Sequence, residues 1–160
     1  MYLSANLIAR SWLFRLILSV LSGLLLTLPW LGFPSWSLFI SLVPLFWIED
    51  FFAESRMAYS GVRFWKYTFL SFLIWNGLTT WWIAYATLAG AVMAIVVNSF
   101  LMSLVWWLGY AVRKHINKNI GLMAITVFWI AFEFFHYHWD IEWPWLNLGN
   151  GFANSIKIIQ

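Results

Sequence analysis

The chain has 160 residues, 63% of them hydrophobic and 9% charged, with a mean hydropathy of +0.79. A soluble domain carries about 25% charged residues, so this composition excludes a water-solvated globule and implies one hydrophobic bundle in a bilayer, with no separate soluble domain. With no cysteine there is no disulfide, thiolate zinc site or cysteine nucleophile within these residues, and a dispersed net charge of +3 gives no reason to expect a nucleic-acid partner.

The expected fold is all-α, a polytopic transmembrane helix bundle of about five spans. Arg10 and Arg15 precede the apolar run Leu16 to Leu31 without a small-x-small cleavage site after it. This predicts an uncleaved first span over residues 14–31. Its length is about 18 residues at a 1.5 Å rise, roughly 27 Å against a hydrocarbon core of about 30 Å. Pro29, Gly32 and Pro34 make the turn. The second span, residues 34–48, is short and interrupted by Pro44. A charged loop, Glu49 to Lys66, then leads to the third span, residues 67–85. The fourth covers residues 90–112 and ends in Arg113, Lys114, His115 and Lys118; the fifth covers residues 120–135 and leads to Asp140 and Glu142.

Counting five spans puts Arg10, Arg15, Arg56, Arg63, Lys66, Arg113, Lys114 and Lys118 on one side, and only Lys157 on the other. By the positive-inside rule that basic side, and with it the N-terminus, is cytoplasmic. The loop after the fifth span is then outside. Tryptophans fit this arrangement, because indole favours the headgroup level. Trp30, Trp36, Trp81, Trp82, Trp139, Trp143 and Trp145 map to the outer interface. Trp12, Trp47, Trp65, Trp106 and Trp107 map to the inner one, with Trp75 and Trp129 at mid-depth.

Asn76 and Asn98 fall near the centres of the third and fourth spans, where an amide needs a partner. They predict either an interhelical hydrogen bond or a polar lining for a substrate path. Glu133 lies in the last turn of the fifth span, three residues from His136. It reads as a structural pair that ends the helix or as a substrate contact. His136, His138, Asp140 and Glu142 alternate, so an extended segment would face them one way. Without a fixed-spacing zinc motif this is a weak metal signal, and interfacial polar residues are the plainer account. In Trp143-Pro144-Trp145 two indoles flank a rigid proline, followed by a turn cluster of Asn147, Gly149, Asn150 and Gly151. This is an aromatic anchor or a platform for a lipid-modified substrate. No Ser-His-Asp set, phosphate loop or paired-carboxylate site stands out.

Trp129-Ile-Ala-Phe-Glu133-Phe-Phe-His136, followed by Trp143-Pro144-Trp145-Leu146-Asn147-Leu148-Gly149, resembles the bacterial apolipoprotein N-acyltransferases, which read W-x-x-x-E-x-x-R and then F/W-P-W-x-x-L-G. Gly32-Phe33-Pro34 with Pro44-Leu45, Thr80-Trp81-Trp82-Ile83 and Gln160 resemble further family motifs in the same order. His136 stands where arginine is usual, and Trp143 where phenylalanine is commonest. The resemblance implies an enzyme of the bacterial cytoplasmic (inner) membrane. It moves an acyl chain from phospholipid to the N-terminal cysteine amine of a diacylglyceryl-lipoprotein, through a cysteine thioester in a nitrilase-like domain. That domain is not in these residues. The expectation is therefore the N-terminal membrane part of such an enzyme, with no catalytic residue, cofactor or metal of its own. Trp81, Trp82, Glu133, Trp143, Pro144 and Trp145 are set against phospholipid and lipoprotein. The competing reading is a free-standing multi-span scaffold or transporter subunit without chemistry.

Overall fold

The computed structural model describes residues 11–55, 59–139, 143–155 and 157. The described residues form helices and no strand. Helix α1 is Trp12–Thr27, extended by a 3-10 turn, Leu28–Leu31. Gly32 ends that turn at φ +87°, a left-handed conformation open to glycine. The predicted second helix is two pieces, α2 (Ser37–Ser41) and α3 (Val43–Glu54). The break falls just before Pro44, which sits at the start of α3, where its missing N–H costs nothing. Helix α4 is Ser60–Thr80, followed by a 3-10 segment, Trp81–Tyr85. Helix α5 is Leu88–His115 and α6 is Lys118–His136. Thr87 caps α5 by accepting from the Gly90 N–H, and Asn117 caps α6 by accepting from the Asn119 N–H.

Helix α4 packs between α1 and α5, and α6 packs on the far side of α5. Helix α3 lies against α1, α4 and α5. Much of the interior is small or hydroxylic. Ser19 Oγ donates to the Tyr67 carbonyl, Ser71 Oγ to the Ser19 carbonyl and Ser22 Oγ to the Ser41 carbonyl. A methyl on Gly23 would strike the Ser71 carbonyl, and one on Gly121 would overlap the Arg113 backbone. Ile17, Leu21, Leu24, Phe39, Met123, Val127, Ile130 and Phe134 point outward instead. Small and hydroxyl groups inside with large apolar groups outside is the pattern of helices packed in lipid, where close backbone approach replaces the hydrophobic effect. Among the described residues, three helical stretches are long and apolar enough to cross a membrane: Trp12–Leu31, Leu88–His115 and Lys118–His136.

Two expectations need correction. Residues 49–66 are not one charged loop. Helix α3 runs on to Glu54, and α4 already carries Arg63 and Lys66. Glu49 is fully buried, 3.5 Å from Arg113, which also pairs with Asp50. Lys114 donates to the Phe52 and Ser55 carbonyls, which are among the orphan acceptors at the end of α3. The acids are thus drawn into a helix that meets the basic end of α5. Trp106 is not an interfacial anchor; it is 1% exposed and packs among Phe46, Phe72 and Trp129. Arg10, Arg56, Asp140, Glu142, Ile156, Ile158, Ile159 and Gln160 lie outside the described residues.

Candidate functional site

The site is assembled at the end of α6. Glu133 Oε1 accepts two hydrogen bonds, from the Trp129 indole N–H at 2.9 Å and from the Leu148 backbone N–H at 2.8 Å. The first is a one-turn contact along the helix; the second reaches 15 residues ahead and ties the returning chain to α6. A carboxylate can accept both because each oxygen has two lone pairs, and charge-assisted bonds of this kind are the stronger ones. The expected Glu133–His136 pair does not form. Spacing put the imidazole within reach, but the returning amide takes the carboxylate, while His136 is buried between the rings of Phe132 and Trp139.

Two 3-10 turns, Pro144–Leu146 and Leu148–Phe152, follow. Pro144 opens the first, where its fixed φ suits a turn start. Asn150 Nδ2 donates to the Pro144 carbonyl at 2.7 Å and stitches the two turns together. Leu146 is buried, and Trp30 Nε1 donates to the Trp145 carbonyl at 3.3 Å. Phe152 meets Phe39, and Ser155 bonds Ser35 at 3.0 Å. The loop is therefore clamped from α6 on one side and from the α1–α2 connection on the other.

The predicted site residues fall into separate groups. Trp82 and Trp145 meet edge to face at 5.8 Å, and both remain largely exposed. Trp81 turns to Tyr85 instead, at 5.5 Å, on the exposed side of its 3-10 segment. Glu133 and Pro144 shape the loop. Trp143 lies apart from Trp145, with His136, Trp139 and Asn98 around a second, concave region. His138 does not join His136; it is exposed, stacked on Phe134 at 4.2 Å and bonded to the Phe134 carbonyl. Among the described residues no cluster of histidine and carboxylate suited to a metal ion is present. Asn76 and Asn98 do meet: Asn98 Nδ2 donates to Asn76 Oδ1 at 2.7 Å. The part of Trp30 in holding the loop was not legible, because nothing local ties residue 30 to residue 145.

The apolipoprotein N-acyltransferase N-terminal domain family matches residues 22–160. The chain belongs to this family. The Chlorobaculum tepidum protein "Apolipoprotein N-acyltransferase" is 28% identical over 149 residues, which is 89% of this chain and 26% of that protein. The chain thus spans about a quarter of the length of this curated relative. No solved structure matches. Within the family frame, the Trp129–Glu133 and Trp143–Gly149 motifs form one hydrogen-bonded unit through Glu133.

Proposed function

We propose that the chain is the membrane part of an apolipoprotein N-acyltransferase, with its N-terminus in the cytoplasm and five crossings of the bacterial inner membrane. In this reading it presents phospholipid and diacylglyceryl-lipoprotein to chemistry carried out elsewhere in the enzyme. The observation that carries the reading is the clamped loop. One carboxylate oxygen and one indole fix a short, proline-stiffened turn from opposite sides, leaving Trp82 and Trp145 paired and exposed. Two rigid aromatic rings at headgroup depth suit an amphiphile that is apolar at one end and wet at the other.

Replacing the matching segment of the Chlorobaculum tepidum acyltransferase with residues 22–160 of this chain tests the reading. The chimera is expected to acylate the N-terminal amine of a diacylglyceryl-lipoprotein. A chimera that inserts into the membrane at the level of the parent yet leaves that amine free would refute it. For the topology, a reporter active only in the cytosol is expected to stay silent when joined at Asn150.

A further inference from the structure

A cavity of about 230 Å³ lies where α1 and α4 begin, lined by Trp12, Arg15, Phe52, Arg63, Lys66 and Tyr67. Helix register explains how these converge. Ser19 bonds the Tyr67 carbonyl and the Ser71 hydroxyl, and Gly23 sits against Ser71 and Ile74, so α1 and α4 run parallel. One turn back along each helix sets Arg15 level with Arg63. Trp12 and Arg15 share a face of α1, and Arg63, Lys66 and Tyr67 share a face of α4, by their spacing along each helix. Phe52 comes from α3. Arg15 is in the first turn of α1, at the opposite end of that helix from Trp30 and the clamped loop.

Arg15, Arg63 and Lys66 are cations, and no described lining residue is acidic. Arg15 is 8% exposed, with its guanidinium carbon 4.3 Å from the centre of the Phe51 ring, 5.4 Å from Phe52 and 5.8 Å from Tyr67. The rings fix that charge behind the cavity wall by attraction to their faces, without neutralising it. Its field reaches the cavity with little screening, because the rings around it exclude water. Arg63 and Lys66 are exposed, and their side chains are long enough to close on an anion. The starts of α1 and α4 carry no acidic residue in their first turns and no side-chain cap, so both helix dipoles add positive potential at this end.

The surface beside the cavity decides what carries the anion. Trp12 is 66% exposed, and Leu13, Ile17, Leu21 and Leu24 form an outward apolar stripe that starts next to it and runs along α1. Three cations at the head of such a stripe match a phosphate attached to acyl chains better than a free phosphate, and basic pockets between membrane helices suit anionic headgroups. A zwitterionic headgroup brings an ammonium, which the three cations repel and no described lining carboxylate receives. We propose that this cavity binds an anionic phospholipid, its phosphate on Arg63 and Lys66 in the field of the buried Arg15, and its acyl chains along the α1 stripe. This assignment goes beyond the acyltransferase reading and does not require it.

The test is native mass spectrometry of the 160-residue chain released from detergent, with dioleoyl-phosphatidylglycerol as the probe. Dioleoyl-phosphatidylethanolamine, with the same chains, and inorganic phosphate are the competitors. The expected result is a one-to-one adduct with phosphatidylglycerol that neither competitor displaces in molar excess. At about fivefold per cation near a headgroup, Arg15→Met is expected to weaken the adduct about fivefold, and Arg63→Gln with Lys66→Gln about 30-fold. Lys118→Gln removes a cation outside the cavity and is expected to leave the adduct unchanged. The double variant changes only exposed side chains, so it decides the matter if Arg15→Met loses its helical circular dichroism. No adduct, displacement by phosphatidylethanolamine or by phosphate, an adduct as strong in the double variant as in the parent, or an equal loss in Lys118→Gln overturns the proposal. Acyl transfer is not read in this experiment, so it and the chimera fail separately.

Discussion

Replacing Glu133 with alanine removes one acceptor and strands two donors. Trp129 is 7% exposed, while Leu148 is half-buried. A buried donor left unmade costs about 1–3 kcal/mol. Taking the middle of that range for Trp129, and the low end for Leu148 because water can reach it, gives about 3 kcal/mol. The Trp129 share falls on α6 itself, and about 1 kcal/mol is left to loosen the loop. At 1.36 kcal/mol per decade, that is roughly a fivefold loss of hydrogen-exchange protection at the Leu148 amide. Glu133→Gln keeps an oxygen in place and gives up the charge assistance, for about 0.5 kcal/mol or roughly twofold. Peptide-resolved hydrogen exchange in detergent reads both variants. Unchanged exchange at Leu148 in Glu133→Ala, or equal loss in the two variants, would refute the clamp.

Asn98→Leu is expected to destabilise the bundle by about 0.5–2 kcal/mol, measured by unfolding in increasing mole fraction of SDS, and a double-mutant cycle with Asn76→Leu should return most of that as coupling. Arg113→Leu leaves Glu49 buried without its cation and is expected to cost about 3–5 kcal/mol; Glu49→Leu added to it should recover part of the loss in the same titration. Gly121→Ala forces α6 off the Arg113 backbone and is expected to cost about 1–3 kcal/mol, whereas Gly77→Ala, whose added methyl meets nothing within 4 Å, should be neutral or slightly stabilising.

The all-α fold and the meeting of the two asparagines were legible because lipid leaves few choices. Apolar runs must be helical, and an amide at mid-depth must find a partner. Pro44 likewise marked where the second helix divides. Glu133 shows the limit of local spacing. Three residues along a helix point to His136, but the partner that wins is a backbone amide delivered by a loop that doubles back. Glu49 fails for a related reason. A carboxylate beside an aspartate reads as the start of a loop, and its counterion lies on a helix much later in the chain. Trp106 was assigned to the interface by residue type alone, whereas its place among Phe46, Phe72 and Trp129 depends on three other helices.

Helices α5 and α6 touch backbone to backbone where Gly109 meets Ile125 and Gly121 meets Arg113, and they enclose a void at the opposite end of the same pair. The glycine end acts as a fulcrum. Bulk added there tilts one rod against the other and alters the width of the void about three turns away. Residues at the glycine end thereby govern the aperture at the other end without lining it.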